Sequence, residues 1–235
     1  MDTSAHHPGN PQPHRLFAIF AKADEQYMEE LNAAMECHLY KKGQVIFHEG
    51  AYSFGMYGIN AGKIKLSHSG DDGREQIIRL VKEGDIMGFK ALLSGERYTA
   101  TATALDDTEI FFIPKDLFIS VLQKDPNLSM EMMRMLSGEL RKAEVKITQL
   151  AQKPVRERLA ETLIFIKETY GLEADGQTLN VRLSREEIAN LAGTATESAI
   201  RLLSEFKKDG MLELEGKKIR LLDIPHILKT ANLHD

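Results

Sequence analysis

The chain of 235 residues contains one cysteine, Cys37, which excludes an intramolecular disulfide framework and any all-cysteine metal cluster within one chain. A reducing cytoplasm fits. No apolar run approaches the ~18–20 residues that a membrane span needs, so no membrane partner is expected. The opening MDTSAHHPGNPQPHR has neither a charged-then-apolar leader pattern nor a small-residue cleavage site. With three Pro and three His among polar residues, residues 1–17 read as a floppy lead-in. A basic excess is also missing: the formal net charge is −5, and residues 151–235 carry 13 Lys+Arg against 14 Asp+Glu. Contact with nucleic acid must therefore come from local clusters and helix N-termini, not from a global positive field. Hydrophobic content of 43% and charged content of 28% are those of an ordinary soluble globular protein, with room for one large domain or two modest ones.

From about Glu36 to Ile113 the text is β-like. ECHLY, QVIFH, GKIKLSH, REQIIRLV, TATATAL and TEIFFI are candidate strands, punctuated by Lys42-Gly43, Glu49-Gly50, Ala61-Gly62, Asp72-Gly73 and Glu83-Gly84. Short strands at this spacing predict a barrel or sandwich. The Thr/Ala alternation of Thr99–Leu105 puts the hydroxyls on one face. Ala23–Met35 has helical composition. At Pro114 the period changes: PKDLFISVLQKD reads as a short helix, and Pro126 to about Leu150 as a long one. On the long helix Met132, Leu136, Ala143, Ile147 and Leu150 lie near one stripe, which predicts packing along a partner helix. Lys153-Pro154 breaks the pattern. The organisation expected is a lead-in of residues 1–17, a β-domain of 18–125, a dimerisation helix and hinge of 126–152, and a second domain of 153–235.

The second domain carries the informative segment, LNVRLSREEIANLAGTATESAIRLLSEFKKDGMLELEGKKIRLLDI. Ser184 and Glu187 form a capping box ahead of a short helix whose apolar positions are Ile188, Ala189 and Leu191. Gly193 suits the turn of a helix-turn-helix, where a positive φ is needed. Thr194 and Thr196 both suit the start of a second helix, buried through Ala199, Leu202, Leu203 and Phe206. Asp209-Gly210 ends it, and MLELEGKKIRLL alternates like a β-hairpin wing. Thr196, Glu197, Ile200, Arg201 and Ser204 face away from the buried stripe, with Ser198 beside them. Glu197 and Arg201, four apart, offer what major-groove readout needs: a carboxylate to accept from a cytosine amine and a guanidinium to fork to guanine O6/N7. Such a pair alone is a routine surface contact; the surrounding order of elements makes it a reading head. Ser184 and Thr194 at the helix N-termini, with Lys217, Lys218 and Arg220 on the wing, are candidate phosphate contacts.

These residues resemble the Crp/Fnr family of cyclic-AMP-receptor and fumarate–nitrate-reduction regulators. LSREEIANLAGTATESAIRLLSEFKKDGML is similar to its DNA-binding helices, in which a Glu and an Arg four positions apart read base pairs, the places of Glu197 and Arg201 here. YKKGQVIFHEG, INAGKIKLS and EGDIMGFKALLSGERYTATATAL are similar to its barrel. The resemblance implies an α+β chain: a cupin-like β-roll (double-stranded β-helix), a dimerising helix and a C-terminal winged helix-turn-helix. It also implies a homodimer on palindromic double-stranded DNA that touches RNA polymerase.

The departures bear on the effector. Cyclic-nucleotide members of the family have Gly-Glu in the pocket turn and Arg-Ser or Arg-Thr at the phosphate; here Gly88 precedes Phe89, and Tyr98 precedes Thr99. A phenol cannot replace a permanently charged, bidentate guanidinium at a phosphate. Ala143-Glu144 stand where Thr-Ser would meet the adenine. Lys90 and Arg97, each one place off, would have to serve instead, so cyclic AMP is not expected. In the oxygen-sensing branch a Ser precedes the reading Arg, where this chain has Ile200. One cysteine excludes the four-cysteine iron–sulfur site of that branch. Haem needs one axial ligand, and Cys37, His38, His48 and His68 are open to it, though no paired spacing singles one out. The effector region is Phe89, Lys90, Arg97, Tyr98 and Thr99, which with the methyls of Thr101 and Thr103 would line or fill an apolar barrel for an unknown small molecule. Two rival readings are a cupin-like metal enzyme, for which only His48 with Glu49 offers ligands, and a cyclic-nucleotide-type regulatory module acting through protein contacts.

Overall fold

The computed structural model describes residues 18–70 and 75–233. The lead-in of residues 1–17 and the Asp72-Gly73 turn lie outside the described residues. Helix α1 (Glu25–Ala33) is capped by Asp24, whose side chain accepts from Gln26 N–H. There follow β1 (Glu36–Tyr40), β2 (Val45–Phe47), β3 (Gly55–Ala61), β4 (Lys63–Ser69), β5 (Glu75–Lys82), β6 (Ile86–Met87), helix α2 (Phe89–Ser94), β7 (Thr101–Ala104) and β8 (Thr108–Pro114). They form two four-stranded antiparallel sheets, in the orders β1-β8-β3-β6 and β2-β7-β4-β5. The sheets close on Phe47, Ile59, Ile64, Val81, Met87, Tyr98, Ala102 and Ile110, a core drawn from both.

Strand β3 has no counterpart among the strands expected from sequence, because GMYGINA carries two glycines. The fold needs one of them for close approach. A Cβ on Gly55 would stand 2.2 Å from the Ile113 carbonyl oxygen of neighbouring β8. Strand β6 and helix α2 also went unmarked, being too short to show a period.

Helix α3 (Lys115–Lys124) begins one residue after Pro114, its N-cap. Helix α4 (Pro126–Gln152) follows, capped by Asp125, whose Oδ1 accepts from the Asn127 and Leu128 amides. The other oxygen of this buried carboxylate accepts from Asp24 N–H at 2.8 Å, so one side chain ties the starts of α1 and α4 together. Among the described residues no helix is long and apolar enough to cross a membrane.

The C-terminal part contains α5 (Val155–Tyr170), α6 (Arg185–Ala192), α7 (Thr196–Lys208), the hairpin β9 (Leu212–Glu215) and β10 (Lys218–Leu221), and α8 (Ile224–Thr230). Its core includes Leu159, Leu163, Ile188, Leu203, Phe206 and Leu221. The same cluster takes in Ile77, Leu80 and Leu105 of the barrel, so the winged part is seated against the outer side of the β4–β5 edge. The Tyr170 hydroxyl lies 3.1 Å from the Ile64 carbonyl oxygen and 3.2 Å from that of Val81, and burial pushes this phenol well above its ordinary pKa.

Candidate functional site

The helix-turn-helix is built from local devices visible in the residues. Ser184 Oγ accepts from Glu187 N–H at 3.0 Å, and Glu187 Oε2 accepts from Ser184 N–H at 2.7 Å, a reciprocal capping box. Gly193 ends α6 at φ +64°, and a Cβ there would also lie 2.6 Å from Leu150 Cδ2 of α4. Backbone and packing both require glycine. Thr194 donates its amide to Ala189 O at 3.0 Å, so its N–H is engaged in closing α6 and only its side chain remains available. Helix α7 starts at Thr196 with Ala195 as N-cap and no capping side chain. Ala199, Leu202, Leu203 and Phe206 are buried, whereas Glu197, Ile200, Arg201 and Ser204 are exposed and Thr196 and Ser198 half-buried. The ridge expected from sequence is therefore solvent-facing. Lys217 and Lys218 are exposed at the wing, in a tight turn with Gly216 at φ +56°.

Four further side chains hold this unit in place, none marked by a sequence signal. Arg158 donates Nε to Ala192 O and Nη2 to Gly193 O, both at 3.0 Å, which satisfies the carbonyls at the end of α6. Arg185 Nη2 donates to Gly216 O at 2.9 Å and so ties the wing turn to the start of α6. Lys146 Nζ of α4 donates to Leu191 O at 3.0 Å. Lys65, on β4 and buried, places Nζ 2.9 Å from both Glu75 of β5 and Glu187 of the capping box. Burial works against its charge, but Glu187 and Glu75 outweigh it and raise the ammonium pKa. Burial likewise pushes the Glu187 carboxyl up, but the Ser184 N–H and Lys65 win and bring it below the usual range.

The long-helix stripe keeps Leu136, Ala143, Ile147 and Leu150 and loses Met132. Met132 is only 3% exposed and Leu136 is half-buried; both pack with the barrel-side helical core of Phe20, Phe89, Phe118 and Leu128. Met133, Leu140 and Ile147, seven apart, are 53, 63 and 68% exposed, and Leu136, Ala143 and Leu150 run beside them at the same period. Their spacing of three and four is that of a heptad a/d pattern. Met132 leaves it for the barrel; Met133 and Leu140 join it.

Of the expected effector residues, Arg97, Tyr98 and Thr99 line one concavity, whereas Phe89 and Lys90 stand apart from it. Phe89 opens α2 and is buried among the α-helices. Lys90 points to solvent, with Nζ 3.4 Å from Glu139 of α4, a carboxylate that also meets Arg79 and Lys142. Tyr98 lies inside the barrel, stacked on Phe47 at a centroid distance of 4.0 Å, and donates to Ser53 Oγ at 3.0 Å. On β7 the alanines Ala102 and Ala104 face the core and the threonines Thr101 and Thr103 look outward, so the methyls of these two threonines do not line the interior. Arg97 and Thr99, with the edge of Tyr98, line a shallow, open concavity of about 600 Å³ together with Glu49, Tyr52, His68 and Glu96. Arg97 is itself engaged there, donating to Gly50 O at 2.7 Å and Tyr52 Oη at 2.9 Å over the Tyr52 ring.

The four residues open to haem lie outside the barrel core. Cys37, His48 and His68 are exposed and His38 is half-buried on β1. Glu49 pairs with His68 and accepts from Ser69 N–H. Among the described residues no group of three or more His, Cys, Asp or Glu is placed to hold a metal ion.

Comparison with known proteins matches both halves. Residues 37–125 match the cyclic nucleotide-binding domain and residues 157–229 the Crp-like helix-turn-helix domain. The chain is 32% identical over 182 residues to the fumarate and nitrate reduction regulatory protein of Escherichia coli K12, covering 77% of this chain and 72% of that one. It is 29% identical over 184 residues to the transcriptional activator protein FnrA of Stutzerimonas stutzeri, covering 78% of this chain and 75% of the relative. A transcriptional regulator of the CRP/FNR family from Thermus thermophilus superposes with a TM-score of 0.73 at 25% identity, over 85% of this chain and 100% of that one.

Proposed function

The chain belongs to the Crp/Fnr family of DNA-binding transcription regulators, and from that premise we propose that it works as a homodimer placing two copies of α7 in successive major grooves of a palindromic site. The carrying observation is the bare outer face of α7 over a fully buried inner face, presented by a capped turn and a wing. In this reading Arg201 forks to a guanine, Glu197 accepts from a cytosine amine, and Thr196 and Ser198 meet neighbouring bases. The Ser184 and Thr194 hydroxyls, with Lys217 and Lys218, contact phosphates. The heptad seam of α4 joins the two copies, because six apolar positions at period seven would otherwise lie largely in water. The role is regulatory, exerted in the cytoplasm through RNA polymerase, and not catalytic.

The barrel does not suit cyclic AMP. Tyr98 and Phe47 occupy its interior, Phe89 belongs to the helical core, and Arg97 is committed to Gly50 and Tyr52. An effector, where one acts, would do so by shifting the α4 helices and so the spacing of the two reading helices.

The test is fluorescence anisotropy on a duplex recovered from fragmented genomic DNA by the protein itself. Arg201→Ala is expected to lose ~1–3 kcal/mol on that site and to relax preference at one guanine, whereas Lys218→Ala weakens all sequences alike. Equal losses on specific and random DNA for Arg201→Ala would remove the assigned base contact. Millimolar cyclic AMP should leave both the binding curve and the melting temperature where they were.

A further inference from the structure

Helix α7 carries a second ionic arrangement, one turn beyond the reading ridge. Arg201 Nη1 donates to Glu205 Oε1 at 2.8 Å, so the guanidinium is held from the C-terminal side. The other oxygen of that carboxylate accepts from Arg156 Nη1 at 2.9 Å. Arg156, near the start of α5, is fixed at two more points. Its Nη2 donates to Asp209 Oδ2 at 2.8 Å, and its guanidinium lies 4.7 Å above the ring of Phe206, which is fully buried. An exposed Glu–Arg pair one helical turn apart is ordinarily a weak contact, since both side chains must be ordered to make it. Here the carboxylate is already ordered by a guanidinium that spans two acids with two different nitrogens and rests on a core aromatic. Guanidinium has five N–H donors in a rigid fork, so one bond to Glu205 leaves enough donors for a paired contact to guanine O6 and N7.

We propose that Glu205, fixed by Arg156, is a positioning residue that presents the Arg201 guanidinium for base reading. Part of the discrimination of α7 is then set by a pair that need not touch a base. This rests on the reading of Arg201 as a base contact. The arrangement has a second consequence. A carboxylate beside the DNA repels every duplex, so Glu205 should weaken non-specific binding while sharpening the specific contact.

The experiment uses the full chain on three duplexes: the recovered site, the same site with the Arg201-contacted guanine replaced, and random sequence. The variants are Arg201→Ala, Glu205→Met, the two together, and Arg156→Lys, each checked for folding by its thermal melt. Methionine keeps the size and helix propensity of glutamate without an acceptor for either arginine. Glu205→Met is expected to tighten random DNA by ~2–3-fold, through loss of one repulsive charge. The same change should lower the guanine-to-replacement affinity ratio by ~3–10-fold, a fraction of what a full bidentate contact supplies. In the Arg201→Ala background it should leave that ratio unchanged. Arg156→Lys keeps the charge but not the two-nitrogen bridge, and should lower the ratio by ~2–3-fold without tightening random DNA. The proposal is overturned if Glu205→Met shifts all three duplexes by one factor, if it raises the ratio, or if its loss persists without Arg201. Should Arg201→Ala itself leave the ratio unchanged, the base-contact reading falls and takes this inference with it, and the Glu205 arms alone would not produce that pattern.

Discussion

The barrel interior and the outer face of α7 both gather aromatic or polar side chains at a place where this architecture can meet another molecule, and they are finished in opposite ways. Inside the barrel Tyr98 stacks on Phe47 and Tyr57 leans against both Phe47 and Phe112. The Tyr98 hydroxyl donates to Ser53, which donates in turn to Gly55 O. Its hydrogen-bonding groups are satisfied by the chain itself. On α7 the exposed Glu197 and the 65%-exposed Arg201 side chain keep donors and acceptors facing water. A site that recognises an outside molecule must hold unfilled hydrogen-bonding capacity at little desolvation cost, and only the second region does.

The sharpest way to break that contrast is to empty the barrel. Tyr98→Ala removes a ring that is 6% exposed and stacked, and large-to-small core changes of this kind cost ~3–5 kcal/mol. Urea unfolding should show a midpoint lowered accordingly, while DNA affinity measured well below the melting point stays unchanged. A loss under about 1 kcal/mol would mean that the interior is loosely filled, and the two regions would no longer differ in kind.

Next in size is the join between the regions. Lys65→Met leaves Glu75 and Glu187 facing one another at a shielded site, which should cost about 3 kcal/mol, near the low end for breaking a buried pair. Converting both acids to glutamine in the same protein should return most of it. The pH dependence has two edges. The Lys65 pKa is raised, so its contribution is complete below the ordinary ammonium value and is lost as pH rises through the raised one. The Glu187 pKa is lowered, so its contribution is present above the ordinary carboxylate value and is lost as pH falls through the lowered one. The stabilisation that Lys65→Met removes should then be largest between roughly pH 5 and 10. A flat difference from pH 3 to 7 in paired urea titrations would exclude the clamp.

A smaller effect tests the reading unit by itself. Ser184→Ala removes the hydroxyl half of the capping box and should cost ~1 kcal/mol, with hydrogen exchange of the first α6 amides rising before that of α7.

The unequal finish of the two regions also explains what could be read in advance. The helix-turn-helix is specified by short-range chemistry, a cap at Ser184, a glycine at 193 and an apolar stripe at period 3.6, all of which lie in the text. The barrel is specified by long-range closure. Strand β3, central in its sheet, is absent from the strands expected from sequence because it carries two glycines, and Gly55 serves a close approach to β8, nearly sixty residues away. The grouping of Phe89 with Tyr98 failed for a related reason: adjacency in a motif says nothing about which of two cores each side chain enters. Met132 belongs to the barrel side and not to the exposed stripe, because a helix with the barrel on one face and solvent on the other carries two apolar stripes. Arg158, Lys65 and the Arg156–Glu205 pair join elements far apart in sequence and leave no local trace.

The smallest effect concerns a group at the barrel surface. Cys37 sits exposed on β1, its Sγ 3.2 Å from Glu109 Oε1. Local burial, then the hydrogen bond to Glu109 and that carboxylate's charge, push the thiol up to about 11. The thiolate is the nucleophile, so alkylation by iodoacetamide at pH 8 should run about two orders of magnitude slower than for a free cysteine and should climb until pH approaches 11. Glu109→Gln removes the charge and should bring the inflection back toward the ordinary ~8.5. An inflection near 8 in the unaltered protein would put a reactive thiol on the barrel surface and give the domain a redox handle. An inflection near 11 leaves Cys37 as inert as the filled interior behind it, and regulation through the barrel would then have to act on the packing of α4 and the join at Lys65, not on thiol chemistry.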